Sequence, residues 1–299
     1  MGKIYSSKHN RRGASSSISS GKKKAGHAAE RDFAEVINGS RISGTKKGDV
    51  IDSLNRQYSV KNAEKHFQIF LYNHSRLKQS TYLKTLTKCL DAFPADSQQY
   101  FEAREKCLNY KLNYLTKHGP NKAKQLTNHE LAQQIGDNLY LDSKTKLSLA
   151  TLCVVNTIQS SKSIENFLNE AIFNNNEVEF LAIRDIHVSR DRKFKVFHRD
   201  DVLRILASEL HVSQSAAGRS PKDLNIAGQK ILFRYQSSTA RWKNLIEIEV
   251  RNDDSHYREV RCNMKASDTL QILVSAFGRT GAEKINEDVL AFGIAANLL

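Results

Sequence analysis

An aspartate and a lysine, Asp49 and Lys61, are the two residues of this chain whose types and spacing point most directly to chemistry. A carboxylate can hold a magnesium ion, which prefers oxygen ligands and retains several water molecules. A neighbouring ammonium group can orient or deprotonate a water molecule, or stabilise negative charge in a transition state. Hydrolysis of a phosphodiester bond uses each of these contributions, and the pair therefore indicates that chemistry.

The residues between them have the pattern of a β-hairpin. Residues 49–53 and 57–62 are predicted strands that flank a short turn. A turn centred on Asn55 places Asp49 directly opposite Lys61, with Cβ atoms about 5 Å apart. We therefore expect the carboxylate and the ammonium group to meet at the open end of the hairpin.

The same register assigns the side chains of the second strand to two faces. Ile51 is expected opposite Ser59, and side chains alternate along a strand. Ser59 and Lys61 therefore share the face of Asp49, whereas Tyr58 and Val60 point to the other face.

These residues resemble the PD-(D/E)XK nucleases, and most of all the type II restriction endonucleases. The resemblance rests on Asp49, on Ser59-Val60-Lys61 and on Glu30 in a predicted helix over residues 26–38, and it covers about residues 26–72. It implies that Asp49 is a metal ligand, that Lys61 is the catalytic lysine and that Glu30 is the acid of the preceding helix.

The sequence departs from the family pattern at two positions. Ser59 stands where the family has an acidic residue, and Gly48 stands where it has proline. Either Glu64 or Glu30 is the carboxylate that completes the site, and the sequence leaves this open. The resemblance implies catalytic roles for Asp49, Lys61, Ser59 and Glu30, and a magnesium ion held by Asp49 with Glu30 or Glu64.

The order of predicted elements indicates an α+β protein, and the resemblance implies a restriction-endonuclease-like mixed β-sheet core flanked by helices. We expect a flexible basic arm (residues 1–24), a catalytic core hairpin and helix (25–80), a helical block inserted in the core (81–175), and a strand-rich part that completes the core and reads DNA (176–299). Helices are predicted near residues 81–91, 97–116, 128–136, 143–159, 164–173, 199–209, 267–277 and 282–297. Strands are predicted near residues 177–184, 193–198, 230–236, 244–251 and 256–263, with a loop over 212–228.

The charge of the chain indicates a polyanionic partner. Lys and Arg total 46 against 32 for Asp and Glu, a net charge of +14. Residues 1–29 contain seven Lys and Arg and no acidic residue. A mobile cationic arm binds well along a phosphate backbone, because each contact releases condensed counterions. The alternative is a solvated tail that aids solubility.

A set of basic residues and one asparagine forms the predicted DNA-binding surface. Arginine pairs with guanine and asparagine with adenine in the major groove, whereas lysine mainly contacts phosphates. Alternating basic and apolar residues also occur on ordinary solvated strands, which is the alternative for the C-terminal members. The candidates are Arg11, Arg12, Lys22, Lys23, Lys46, Lys47, Arg190, Arg192, Arg241, Arg251, Asn252 and Arg258.

Several other classes of protein do not fit the sequence. It has no glycine-rich phosphate loop, no dinucleotide fingerprint, no Gly-x-Ser-x-Gly and no His-Glu-x-x-His, and we expect no small-molecule organic cofactor. The four cysteines form no Cys-x-x-Cys pair, and no apolar run is long enough for a membrane span. A secretory signal is not expected either, and these features predict a cytoplasmic protein that binds no membrane.

Two hypotheses follow. The first is a magnesium-dependent endonuclease of duplex DNA, a sequence-specific type II restriction enzyme acting as a homodimer on palindromic sites. The second is a non-catalytic nucleic-acid-binding protein, such as a regulator or an RNA-binding factor, in which Asp49 and Lys61 form only a surface ion pair worth ~0.5 kcal/mol. A requirement for divalent metal separates the two.

Overall fold

A computed structural model describes residues 16–42, 48–62, 66–136, 138–184, 194–218 and 224–280. The helices are α1 (Ser16–Val36), α2 (His74–Lys78), a short 3-10 helix (Lys84–Leu86), α3 (Thr87–Asp91), α4 (Ser97–Gln125), α5 (Asn128–Ile135), α6 (Leu139–Thr157), α7 (Ser161–Phe173), α8 (Arg199–Glu209) and α9 (Ala266–Thr280). The strands are β1 (Ser40–Arg41), β2 (Val50–Ile51), β3 (Gln57–Asn62), β4 (His66–Tyr72), β5 (Phe180–Arg184), β6 (Phe194–His198), β7 (His211–Gln214), β8 (Lys230–Gln236), β9 (Trp242–Asp253) and β10 (His256–Lys265). The predicted α+β class is confirmed.

The first sheet is mixed and has the strand order β1-β2-β3-β5-β6. Strand β3 lies in the middle, antiparallel to β2 and parallel to β5. Helix α1 packs against one face of this sheet, where Phe33 joins Val50, Tyr58 and Val60 in a small buried core. On the opposite face, Leu181 belongs to the larger core of the protein.

The second sheet is antiparallel throughout, with the order β4-β10-β9-β8-β7. Alternate residues such as Ile231, Ile248 and Cys262 are buried and pack in the larger core together with helices α3, α6, α7 and α8. The intervening residues carry charged side chains and form the polar face of this sheet. None of the helices in the described ranges is long and apolar enough to cross a membrane.

Helix α7 supports the parallel pair of strands, because it directly precedes β5. Its N-cap is Ser160, whose side chain accepts a hydrogen bond from the Ser163 N–H while the Ser160 N–H donates to the Ser163 hydroxyl. Its C-cap is Asn174, which has the left-handed conformation common at helix ends (φ 49°). The chain then turns into β5.

Most predicted elements are present. Strand β1 and helix α2 were not predicted, and three further elements differ. Helix α1 begins at Ser16, so residues 16–24 of the predicted arm are helical. Strand β7 lies within the predicted loop over 212–228, because its pairing with β8 stabilises a segment of little intrinsic strand pattern. Strand β4 was not predicted, and it joins the second sheet through β10. The helix predicted over 282–297 lies outside the described residues.

The hairpin of β2 and β3 has a register two residues away from the predicted one. Val50 pairs with Tyr58 and Ile51 with Gln57, so Asp49 falls beside Ser59 and not directly opposite Lys61. A shift of two residues leaves every side chain on its predicted face, because side chains alternate with a period of two. The face assignment is therefore confirmed although the register is wrong.

Asp52 determines this register by organising the turn. Its Oδ1 accepts hydrogen bonds from the Leu54 N–H (2.9 Å) and the Arg56 N–H (3.0 Å). Its Oδ2 accepts from the Arg56 Nε–H (2.7 Å) and the Tyr58 hydroxyl (2.8 Å). Burial raises the pKa of the Asp52 carboxyl, but the hydrogen bonds from Arg56, Tyr58 and Leu54 outweigh this and hold the pKa below its usual 3.8.

We predict that Asp52→Ala lowers the free energy of unfolding by about 3 kcal/mol at pH 7, because buried donors lose their acceptor. Since the folded-state pKa of Asp52 is lowered, its stabilisation is complete above the unfolded-state pKa and is lost as pH falls through the folded-state value. The difference between wild type and variant in urea unfolding should therefore shrink from pH 7 to pH 2.

The matched control is Asp201→Ala, which removes an exposed carboxylate paired with Arg204. It should change the unfolding free energy by less than about 1 kcal/mol at either pH. An Asp52→Ala variant as stable as this control would mean that the turn does not depend on Asp52.

Candidate functional site

One carboxylate oxygen of Asp49 accepts hydrogen bonds from three polar groups of the hairpin. Asp49 Oδ2 accepts hydrogen bonds from Lys61 Nζ at 2.9 Å, from the Val60 N–H at 2.7 Å and, more weakly, from Ser59 Oγ at 3.4 Å. The predicted meeting of Asp49, Ser59 and Lys61 is therefore present in the structure. Lys61 reaches Asp49 diagonally across the two strands, as a long side chain can when two residues separate it from the directly opposed position.

The site lies on the face of the mixed sheet away from helix α1. Val60 points into the small core under α1, so its neighbours Ser59 and Lys61 point to the other side. Ser59 is buried, at 2% exposure, whereas the side chains of Asp49 and Lys61 are 21% and 20% exposed. The two charged groups thus lie at the margin of the sheet, within reach of solvent.

The second oxygen of Asp49 accepts no hydrogen bond from the described residues. All hydrogen bonds that the Asp49 side chain accepts within the described residues are to Oδ2. A carboxylate oxygen of this kind suits magnesium, which often binds through one or two carboxylates, substrate phosphates and water. The donor set at Asp49, with the Ser59 hydroxyl beside it, fits this ion.

Glu30, one of the two carboxylates expected to complete the site, does not contact this group in the structure. Its Oε2 accepts hydrogen bonds from Arg41 Nη2 (2.7 Å) and Nε (3.1 Å) and contacts His27 Nδ1 at 3.1 Å. The physical reason is that α1 covers the opposite face of the sheet from Asp49. Burial raises the pKa of Glu30, and the hydrogen bonds from His27 and Arg41 more than offset this, so the pKa is lowered overall.

Carboxylates other than Asp49 do not assemble at the hairpin in the part of the chain that is described. Among these residues, no group of three or more His, Cys, Asp or Glu side chains is placed to hold a metal ion. Glu64, the other candidate ligand, lies outside the described residues.

Two of the predicted DNA-binding arginines have partners within the protein. Arg251 pairs with Asp253, at 2.6 Å from Nη2 and 3.0 Å from Nε to Oδ2. Arg258 turns toward helix α3, where its Nε–H donates to the Leu90 carbonyl at 3.2 Å. Structural contacts therefore hold these two guanidinium groups.

The other predicted DNA-binding residues are placed differently. Asn252 is partly buried, and neither polar atom of its side chain has a hydrogen-bond partner among the described residues. Arg241 is exposed at the turn between β8 and β9. Lys22 and Lys23 lie on α1. Arg11, Arg12, Lys46, Lys47, Arg190 and Arg192 lie outside the described residues.

Sequence reasoning missed two contacts of the site. The Val60 N–H is the closest donor to Asp49, and backbone groups leave no residue-type signal. Phe67 of β4 lies beside Lys61, with the ammonium group 5.8 Å from the ring centroid. The apolar run Phe67 to Tyr72 is a strand signal that identifies β4 but does not indicate its position next to Lys61.

The fold and the site define an α+β protein with an Asp-Ser-Lys group at the margin of a mixed sheet. Comparisons with protein-family models, with curated proteins and with solved structures give no significant match. The functional argument therefore rests on the geometry of this site.

We predict that Asp49→Asn changes the free energy of unfolding by less than about 1 kcal/mol. The amide oxygen can still accept from the Val60 N–H, and Lys61 can turn to solvent. Urea unfolding followed by circular dichroism measures this, with Asp52→Ala as the destabilised reference. A loss of several kcal/mol would mean that Asp49, like Asp52, is mainly a structural anchor.

Proposed function

We propose that this protein is a magnesium-dependent endonuclease that hydrolyses phosphodiester bonds in duplex DNA, as a sequence-specific restriction enzyme of the PD-(D/E)XK type. The observation that carries the proposal is the contact of Lys61 Nζ with Asp49 Oδ2 at 2.9 Å on one face of the β2–β3 hairpin. A strand-start carboxylate and a lysine on the next strand are the residues on which the resemblance rests.

The chain's own residues suit the reaction. Asp49 and the Ser59 hydroxyl would hold the magnesium ion, which supplies charge neutralisation of the phosphate and activation of water. Lys61 would hold a water molecule or stabilise the charge on the phosphoryl oxygens, because its ammonium group is partly exposed. The water oxygen loses a proton to the solvent and forms a bond to phosphorus, the P–O bond to the leaving oxygen breaks, and that oxygen takes up a proton from the solvent.

The charge of the protein supports a polyanionic substrate. The net charge of +14 favours association with the phosphate backbone. We also propose that the active form is a two-fold homodimer, because a palindromic duplex offers the same contacts to both subunits.

The test is cleavage of unmethylated phage-length duplex DNA with magnesium and with EDTA. Wild type should give discrete magnesium-dependent fragments. Asp49→Ala and Lys61→Ala should each lower the cleavage rate by about a hundredfold or more. Binding of the same DNA, measured in EDTA, should remain within about tenfold of wild type for Asp49→Ala.

The matched controls are Asp142→Ala and Lys146→Ala, which break an exposed ion pair of the same chemistry on α6 (2.8 Å). Both should cleave at the wild-type rate. Full cleavage by Asp49→Ala would overturn the assignment of the site. DNA that is bound but stays intact across varied unmethylated sequences would favour the non-catalytic nucleic-acid-binding protein.

We further predict that Glu30→Gln retains cleavage within about tenfold of wild type, because Glu30 is paired with Arg41 on the other side of the sheet. Its effect should be on stability, with a loss of about 1 kcal/mol or less. The same fragment assay and a urea unfolding curve measure the two quantities. A hundredfold lower cleavage rate with an unchanged free energy of unfolding would mean that Glu30 takes part in catalysis.

A further inference from the structure

We propose that the hairpin formed by the ends of β8 and β9 docks in the major groove of duplex DNA, with Trp242 contacting the bases. This inference rests on the proposed function for the choice of duplex DNA as the partner. We refer to residues 234–244 as the tryptophan hairpin. Its composition, its exposure and its charge each support the inference.

The tryptophan hairpin exposes about half of a large aromatic side chain. Trp242 is the only tryptophan of the chain, and it is 47% exposed. It pairs with Gln236 across the hairpin, and its ring lies 5.6 Å from that of His211 on β7. In the major groove, where the base edges are accessible, a large exposed ring can make apolar contact with the methyl group of thymine.

The charges of the tryptophan hairpin are unbalanced. Residues 234–244 contain Arg234, Arg241 and Lys243 and no acidic residue. Within the described ranges, no carboxylate forms an ion pair with any of these three side chains. The hydrogen bond of Arg234 Nε is to the Asn244 Oδ1 at 3.2 Å.

The rest of the polar face of the second sheet differs in this respect. There, Lys230 Nζ lies 3.1 Å from Glu247 Oε2 and 3.2 Å from Glu249 Oε2, and Arg261 also contacts Glu249. The positive charges at the centre of the second sheet are thus neutralised by carboxylates. Those of the tryptophan hairpin form no ion pair with the described residues. This distribution fits a polyanion that meets the tip first.

The shape of the tryptophan hairpin suits a groove. A tight turn closes it, with the Ser237 N–H donating to the Arg241 carbonyl at 2.9 Å and Ala240 in the left-handed region (φ 56°). The major groove of B-DNA is about 12 Å wide and admits a two-stranded ribbon. Gln236 shares the face of Trp242, and its amide group is of the type that reads adenine. Asn244 lies on the same face, but its amide accepts from Arg234 and donates to Glu247.

The single tryptophan gives a direct test. Duplexes recovered by binding from a randomised 40-bp pool would be titrated into the full-length protein in EDTA, so that no cleavage is needed. The emission of Trp242 should be quenched in parallel with the fluorescence anisotropy of labelled DNA. Quenching of Trp242 by a duplex that the protein does not cleave in magnesium would support the docking of the hairpin and reject the proposed nuclease activity. Failure of the proposed function is therefore distinguishable from failure of this inference.

Variants should separate aromatic contact from charge. Trp242→Ala should weaken binding about tenfold, whereas the control Tyr82→Ala, which removes an exposed aromatic ring elsewhere, should leave it unchanged. The double variant Arg241→Ala/Lys243→Ala should lower the slope of log K against log salt by about 1.8, the value for two phosphate contacts. The control Lys84→Ala/Lys106→Ala should not change the slope.

Three results would overturn the inference. One is emission of Trp242 that stays constant while anisotropy shows saturation. Another is tighter binding and stronger quenching by the corresponding single strand, which would indicate a single-strand platform. The last is loss of self-association, measured by sedimentation, in Trp242→Ala with unchanged DNA affinity, which would assign the hairpin to contact with a second copy of the chain.

Discussion

Strand β3 lies in the middle of the mixed sheet and pairs with a neighbouring strand along each edge. These two pairings determine the side of the sheet on which each of its side chains lies. Tyr58 and Val60 are buried against α1, so Ser59 and Lys61 must face the opposite side. A slip of one residue would bury the ammonium group of Lys61 under α1 and expose a tyrosine. The apolar residues of β3 therefore fix the polar site, although none of their side chains takes part in it.

The parallel partner of this strand comes from far along the chain. Strand β3 pairs with β5, so residues 57–62 lie beside residues 180–184 although helices α2 to α7 separate them in the chain. Parallel strands need a crossover connection, which α7 provides here. The helical block is thus part of the framework that holds Lys61 in place, because Ile183 beside it belongs to the larger core that those helices build.

The sequence predicts the contacts that depend on the alternation of side chains along a strand. It does not predict those that depend on hydrogen bonds of the turn and on tertiary packing. The contact of Asp49 with Lys61 was predicted because both residues have the same parity on adjacent strands. The register was wrong, because the turn is organised by the hydrogen bonds of Asp52, whose four donors are not apparent from residue types. The pairing of Glu30 with Arg41 could not be predicted for a similar reason, since helical periodicity does not specify which face of the sheet a helix covers.

Acceptor capacity distinguishes Asp49 from the other carboxylates of the two sheets. Asp52 has donors on both oxygens, and a metal ion at that position would displace hydrogen bonds that stabilise the turn. Glu249 is held between Lys230 and Arg261, so its charge is already balanced. Asp49 alone among these three combines a neighbouring ammonium group, partial exposure and one oxygen without a hydrogen bond from the described residues. A magnesium ion bound at that oxygen would displace no hydrogen bond from the described residues, and its charge would offset the repulsion between the carboxylate and a phosphate group.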